Sequence, residues 1–289
     1  MTKILITGAS GTVGKKTIEH LLNKGIPGNQ LIAFSRNTEV LNNLSAKGVE
    51  LRQGDYFDYE SLLKAFEGVK KIMLTSAIAF TDRFTQHYNV IKAAKQMGVK
   101  HIVYMSVMRK AGSAQVLPQV TESDLLTEQA LKSAGLDYTI VYHPPFADLL
   151  SLYYGSDPFE NGIRIPANQG KMAPATRSEL AEAHAEILST FGHENKTYTL
   201  SGSHSISFAE IAKILSEIKN QLVTFTSITN QEFIEGMVSQ GVPVAVAEFM
   251  NGWFLAIESG EFDNQSNDLE KLLGRKTQTF KELMQATLS

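Results

Sequence analysis

The sequence predicts a doubly wound α/β fold: a parallel sheet with helices on both faces and a smaller, mixed C-terminal lobe. Three observations carry this. Short β-branched runs alternate with helix-period segments through the first half of the chain. A glycine-spaced bend follows the first run directly. The alternation stops after His143-Pro144-Pro145.

Lys3 to Thr7 (KILIT) is a run suited to a strand buried on both faces. After the bend a helix runs to about Lys24, with Val13, Ile18, Leu21 and Leu22 on one side and Gly25 closing it. Leu31 to Phe34 is the second strand, a short helix near Val40 to Leu44 follows, and Val49 to Arg52 is the third. Tyr59 to Phe66 is helical, with Leu62, Leu63 and Phe66 on one face. Val69 to Leu74 is the fourth strand, Asp82 to Met97 a longer helix, and His101 to Met105 the fifth strand. A helix over Thr121 to Ala134 leads to the sixth strand, Asp137 to Tyr142. Short connections throughout imply right-handed crossovers, with ligands expected at the carboxyl ends of the strands.

Turns and short strands reach about Ala173, where Thr176-x-x-Glu179 and Ser207-x-x-Glu210 each open an apolar-periodic helix as a capping box. Further helical patterns span Val244 to Ile257 and Leu269 to Leu273. The expected organisation is a nucleotide-binding domain over 1–150 and a substrate-side lobe over 151–289, interleaved at their boundary.

Composition narrows the function classes. The 289 residues contain no Cys, which excludes disulfides, thiolate metal sites and a catalytic cysteine. Lys+Arg 27 against Asp+Glu 30 gives a net charge of −3, without the basic excess of a nucleic-acid binder. The opening MTKILITGAS is a strand rather than a leader, and no run of about 18 apolar residues exists to span a membrane. The expectation is a cytoplasmic protein that binds a small molecule and neither nucleic acid nor membrane, with a homodimer left open. The seven histidines show no close metal-ligand spacing, so no metal is expected.

Gly8-x-x-Gly11-x-x-Gly14 lies between a strand and a helix, where phosphate chemistry explains each glycine. The first permits the tight turn, the second lets backbone N–H groups approach a pyrophosphate, and the third lets the helix pack on the sheet. The helix N-terminus adds unpaired N–H groups and a positive dipole end. The contact set is Gly8, Ser10, Gly11, Thr12, Val13 and Gly14; the alternative is a plain turn. After the second strand stands Ser35-Arg36-Asn37, where an NAD site usually carries an acid. Arg36 suits the 2′-phosphate of NADPH, unless it merely caps a helix or faces solvent. Asp55 and Tyr56 follow the third strand, and Asp55 there can accept from an adenine amino group or serve as a turn residue. Thr75, Ser76 and Ala77 end the fourth strand with small side chains that let the backbone pass beneath a ribose, or simply end a strand.

TGASGTVGKK, SRN, GDYFDYESLLKAFEGV, GVKHIVYMS, TEQALKSAGLDYTIV and LEKLLGRKTQTF, in this order and spacing, resemble the NmrA-like group of atypical short-chain dehydrogenase/reductases over nearly the whole chain. The likeness is greatest to its quinone-reductase and triphenylmethane-reductase branch. The resemblance implies a Rossmann domain with a small C-terminal lobe, NADPH as ligand and a pocket between the lobes. It implies hydride delivery to quinones or other flat, conjugated acceptors in some members, and dinucleotide sensing with regulatory partners in others.

Typical short-chain dehydrogenases pair a Ser or Thr at the fifth strand with a following Tyr-x-x-x-Lys. Ser106 fills the first slot, to bond an acceptor, a nicotinamide ribose or only backbone. The one Tyr-x-x-x-Lys match, Tyr88 to Lys92, precedes the fifth strand and is out of place. Where relatives often carry His or Lys ahead of Thr-Glu, this chain has Asp124, expected as a solvated helix position. A quinone takes hydride readily and its hydroquinone anion takes a proton from water, whereas a ketone needs an acid, so the missing Lys ranks quinone-like acceptors first. Expected acceptor-side residues are Ser106 and Tyr142 as catalytic groups and Phe80, Met105, Met108, His143, Phe146 and Tyr153 as walls, each also plausible as core. The leading expectation is an NADPH-dependent reductase; the rival is a non-catalytic dinucleotide sensor with a protein partner.

Overall fold

A computed structural model describes residues 2–155 and 157–288. The first half follows the expected alternation: β1 (Lys3–Ile6), α1 (Thr12–Asn23), β2 (Leu31–Ser35), α2 (Asn42–Ser45), β3 (Glu50–Gln53), α3 (Tyr59–Ala65), β4 (Val69–Leu74), α4 (Arg83–Gln96), β5 (His101–Val107), α5 (Thr121–Ser133) and β6 (Asp137–His143). The second half holds α6 (Ser151–Tyr154), α7 (Pro158–Asn161), β7 (Ile163–Ile165), β8 (Lys171–Met172), α8 (Arg177–Ser189), β9 (Lys196–Thr199), β10 (Ile206–Ser207) and α9 (Phe208–Lys219). It closes with β11 (Phe225–Ser227), α10 (Asn230–Ser239), α11 (Val244–Glu258), α12 (Asp268–Leu273) and α13 (Phe280–Leu288).

Seven strands form one sheet in the order β3-β2-β1-β4-β5-β6-β9, every pair parallel. Strand alternation sorts the apolar residues between two faces. Ile4, Ile6, Ala33, Met73, Val103 and Val141 point to one face, with Ile18 and Leu21 of α1 and Leu180, Ala181 and Ile187 of α8. Leu5, Ile32, Phe34, Ile72, Leu74, Ile102 and Tyr104 point to the other, with Leu62 of α3, Val90 and Ala94 of α4 and Leu131 of α5. Both faces are covered, as a parallel sheet requires.

The smaller lobe has its own core, including Ile163, Met172, Phe208, Ile211, Leu215, Phe254 and Phe262. It carries the parallel pair β7/β11 and the antiparallel pair β8/β10. Residues beyond 150 serve both layers, since β9 extends the main sheet beside β6 and α8 packs on α1. Strand order reverses between β1 and β4, and the crevice at this switch point opens beside the N-terminus of α1.

Candidate functional site

The carboxyl ends of β1 to β4 enclose a cavity of about 330 Å³. Gly8, Ser10 and Gly11 form one wall, Ser35 and Arg36 a second, Asp55 and Tyr56 a third, and Thr75, Ser76, Ala77 and Ile78 a fourth. Nine residues expected from the sequence on the cofactor side thus meet around one space: Gly8, Ser10, Gly11, Arg36, Asp55, Tyr56, Thr75, Ser76 and Ala77.

The phosphate loop is built by close backbone approach. Gly8 has φ 60°, a conformation that favours glycine. A Cβ at Gly14 would stand 2.5 Å from the Gly8 carbonyl oxygen, so α1 reaches the turn only because Gly14 has none. Gly11 is the N-cap of α1 and gives no side-chain cap bond, leaving the first N–H groups of the helix for an external acceptor. Thr12, Val13 and Gly14 stand behind the cavity wall. Val13 and Gly14 are buried, and the Thr12 hydroxyl accepts from Arg177 Nη1 at 3.1 Å.

Arg36 is exposed at the opposite end and makes no ion pair among the described residues; only its carbonyl is engaged, by Gln53 Nε2 at 3.0 Å. Asp55 accepts from the Phe57 N–H through Oδ1 at 2.8 Å, an Asx turn that engages only one of its carboxylate oxygens. Tyr56 stacks on Phe34, and its hydroxyl ties β1 to β4 by reaching Thr7 Oγ1 and the Thr75 carbonyl. Burial raises its pKa well above that of a free phenol. Thr75 Oγ1 donates to the Thr7 carbonyl at 2.9 Å and Ser76 Oγ to the Met105 carbonyl, so both hydroxyls brace strand ends. Unpaired N–H groups at one end and an unpartnered guanidinium at the other fit a dinucleotide carrying a 2′-phosphate.

The acceptor-side expectations fare differently. Ser106 is fully buried and donates to Glu128 Oε1 at 2.9 Å, so it faces no cavity. Asp124 is not solvated: it is 1% exposed, paired with Arg83 Nη2 at 2.6 Å and bonded to the Tyr104 hydroxyl and the Val107 N–H. The Tyr142 hydroxyl donates to Glu128 Oε2 at 3.0 Å beneath the Arg109 guanidinium. Burial and the Glu128 charge push its pKa up to about 12, which makes it a poor acid near neutrality. His143 is buried against His184, Nε2 to Nε2 at 2.7 Å, rather than lining a cleft. Met108 and Tyr153 belong to the core of the smaller lobe, and Met105 and Phe146 pack against the main core. Their apolar character expresses packing, which strand position alone does not distinguish from a pocket wall. Of the expected walls, only Phe80 is exposed: it is 47% exposed, has φ 64°, follows the cavity-lining Ile78 by two residues, and meets Phe249 of α11 edge-on at 5.2 Å. Tyr88 is exposed against Phe84, and Lys92 lies over the Tyr59 ring, away from the cavity.

Besides Thr81 and Gln86 of the cavity lining, two buried side chains that bond the Ala77 backbone were not foreseen, Arg83 and His87 of α4. Their signal was present: polar residues four apart on the stripe that continues through Val90, Ile91 and Ala94.

A doubly wound sheet with a glycine-bounded crevice at its switch point defines the class of dinucleotide-binding proteins. The chain belongs to the NmrA-like family, whose match covers residues 1–287. It is 34% identical to quinone oxidoreductase 2 of Escherichia coli over 282 residues, 96% of each chain. The structure of that NADPH-dependent enzyme complexed with NADPH superimposes with a TM-score of 0.93 over 99% of this chain and 100% of the other. Triphenylmethane reductase of Citrobacter sp., complexed with NADP(H), is 36% identical, with a TM-score of 0.90 over 98% of this chain and 99% of the other. The NAD(P)H azoreductase of Xenophilus azovorans is 26% identical over 283 residues, 98% of this chain and 97% of the relative.

Proposed function

We propose that the protein is an NADPH-dependent reductase that delivers hydride directly to a quinone or a similar flat, conjugated acceptor. The observation that carries the reading is the cavity between the open N-terminus of α1 and the unpaired Arg36. The backbone of Gly8 to Val13 binds the pyrophosphate, Arg36 the 2′-phosphate, and Asp55 the adenine. Thr75 to Ala77 floor the passage between the two halves of the dinucleotide. Reduced nicotinamide, when bound, supplies the hydride.

The protein's own part in the transfer is to bind and align the two reactants. No acidic side chain needs to reach the acceptor, because a hydroquinone anion takes its proton from solvent. The sealed positions of Ser106 and Asp124 accord with this and disfavour a simple ketone. On the acceptor side we propose the exposed Phe80 with Phe249, beside Ile78 of the cavity lining; the two edge-on rings suit a planar substrate.

The test is oxidation of NADPH by purified protein with a panel of quinones. Turnover with quinones and none with simple ketones is expected. Tight NADPH binding without turnover on any conjugated acceptor overturns the reductase reading in favour of a dinucleotide sensor. Arg36→Ala is expected to weaken NADPH by about 1.5–3 kcal/mol, the worth of hydrogen bonds to a charged group, and to leave NADH nearly unchanged. Equal effects on both would remove Arg36 from the 2′-phosphate.

A further inference from the structure

The chain leaves the sheet where β4 ends at Leu74, while its neighbour β5 continues to Val107. Residues 75–78 therefore run along the cavity without a full ladder of strand bonds, and their backbone groups need other partners. At Ala77 both partners are buried side chains of α4. The Ala77 N–H donates to His87 Nε2 at 2.8 Å, and the Ala77 carbonyl accepts from Arg83 Nη1. His87 is 0% exposed and Arg83 5%, yet neither belongs to the mechanism proposed above.

The hydrogen bonds run consistently in one direction. An N–H pointing at Nε2 requires that nitrogen to be unprotonated, so the ring proton lies on Nδ1 and donates to Thr127 Oγ1 at 2.9 Å. The Thr127 hydroxyl in turn donates to the Ser123 carbonyl at 2.7 Å. Burial, together with the neighbouring Arg83 charge, keeps the imidazole neutral. The Tyr104 ring packs edge-on against it from β5. Arg83 reaches further, to Ser123 Oγ at 2.9 Å and to Asp124, whose Oδ2 accepts the Val107 N–H at 3.0 Å. One buried arginine thus joins the end of β4 to the end of β5 through α5. A fully satisfied buried network of this kind over-determines the backbone it holds.

We infer that His87 and Arg83 are positioning residues for the dinucleotide, fixing the Ala77 peptide so that the cavity floor is set before the ligand arrives. This rests on the NADPH reading above. Preorganisation of this sort acts on affinity, because a floor that must be ordered on binding charges its entropy to the complex.

The experiment compares the wild type with His87→Gln, whose Oε1 still accepts an N–H, with His87→Leu, which has no acceptor, and with Arg83→Lys, which keeps the cation beside Asp124 but loses the fork. NADPH dissociation constants, saturating kcat with a soluble benzoquinone, and amide exchange at Ala77 are measured. His87→Leu and Arg83→Lys are expected to raise the NADPH dissociation constant about tenfold, or about 1.4 kcal/mol, with kcat held within about threefold. His87→Gln is expected to stay near the wild type, and Ala77 exchange to quicken in the Leu variant and not in the Gln one. Gln and Leu variants that bind NADPH equally, or kcat losses at unchanged affinity, overturn the inference. Should His87→Leu fail to fold, an Arg83→Lys protein binding NADPH as tightly as the wild type overturns it alone. A wild type that binds no NADPH refutes the underlying reading instead, so the two failures are distinct.

Discussion

Gly14 is intolerant because its neighbour is backbone. A methyl group there meets the Gly8 carbonyl at 2.5 Å and the Ala9 Cα at 3.1 Å, and neither moves without opening the turn. Gly14→Ala is expected to lower stability by about 1–3 kcal/mol, as overpacking does, and to weaken NADPH as well; urea unfolding and titration read the two effects separately. Phe80 presents the opposite case. Its positive φ stores about 1–3 kcal/mol of strain in an exposed non-glycine residue. Phe80→Gly relieves that strain while deleting the ring. The expected outcome is unchanged or higher melting temperature with a raised KM for the quinone; an unchanged KM would exclude Phe80 from the acceptor face. Ser106→Ala is expected to cost about 1 kcal/mol through the lost Glu128 bond and to leave quinone turnover close to the wild type.

Among the elements, α8 couples the two layers. Thr176 caps it with a reciprocal box, Oγ1 taking the Glu179 N–H at 3.2 Å. Arg177 at its first turn ties Asp148 to Thr12 of the phosphate loop. Thr176→Ala is expected to lower stability by about 1 kcal/mol, measurable as a shifted urea midpoint at constant slope. Two further capping boxes, Thr229 with Glu232 and Thr279 with Glu282, open α10 and α13. The sequence displays both in the same spacing as the boxes at Thr176 and Ser207, yet neither helix was anticipated. β9 was unforeseen for a different reason. Lys196 to Thr199 is a half-exposed edge segment without an apolar run, and only its pairing with β6 makes it a strand.

At the scale of the whole molecule, buried histidines set the acid limit. Burial pushes His87 and His184 down to about 3 and His101 to about 4, from an unfolded value near 6.5. His143, locked against His184, is lowered too. Each group is neutral when folded, so between its folded and unfolded pKa the unfolded chain binds more protons. The stabilising contribution is therefore complete above about pH 6.5 and is lost progressively as the pH falls toward 4 and 3. Unfolding midpoints in urea should fall steadily from pH 7 to 4, and His184→Gln should flatten the slope; a midpoint independent of pH over that range would contradict the assignment. Among the described residues no helix is long and apolar enough to cross a membrane.

What could be read from the chain alone was whatever is local or periodic. The strand–helix alternation, the glycine spacing of residues 8 to 14 and the cation in place of an acid at Arg36 each follow from short-range sterics and charge, and the residues they singled out gather around one cavity. Tertiary structure alone decided that Ser106, Asp124 and His143 are sealed against partners, and that Arg83 and His87 hold the backbone behind the cavity. Ser106, Asp124 and His143 occupy suggestive positions in sequence, but whether a polar group faces a ligand or a buried partner depends on the residues of other elements packed against it. Glu128, Arg83 and His184 supply those partners from distances of 22, 41 and 41 residues along the chain, which no local pattern encodes.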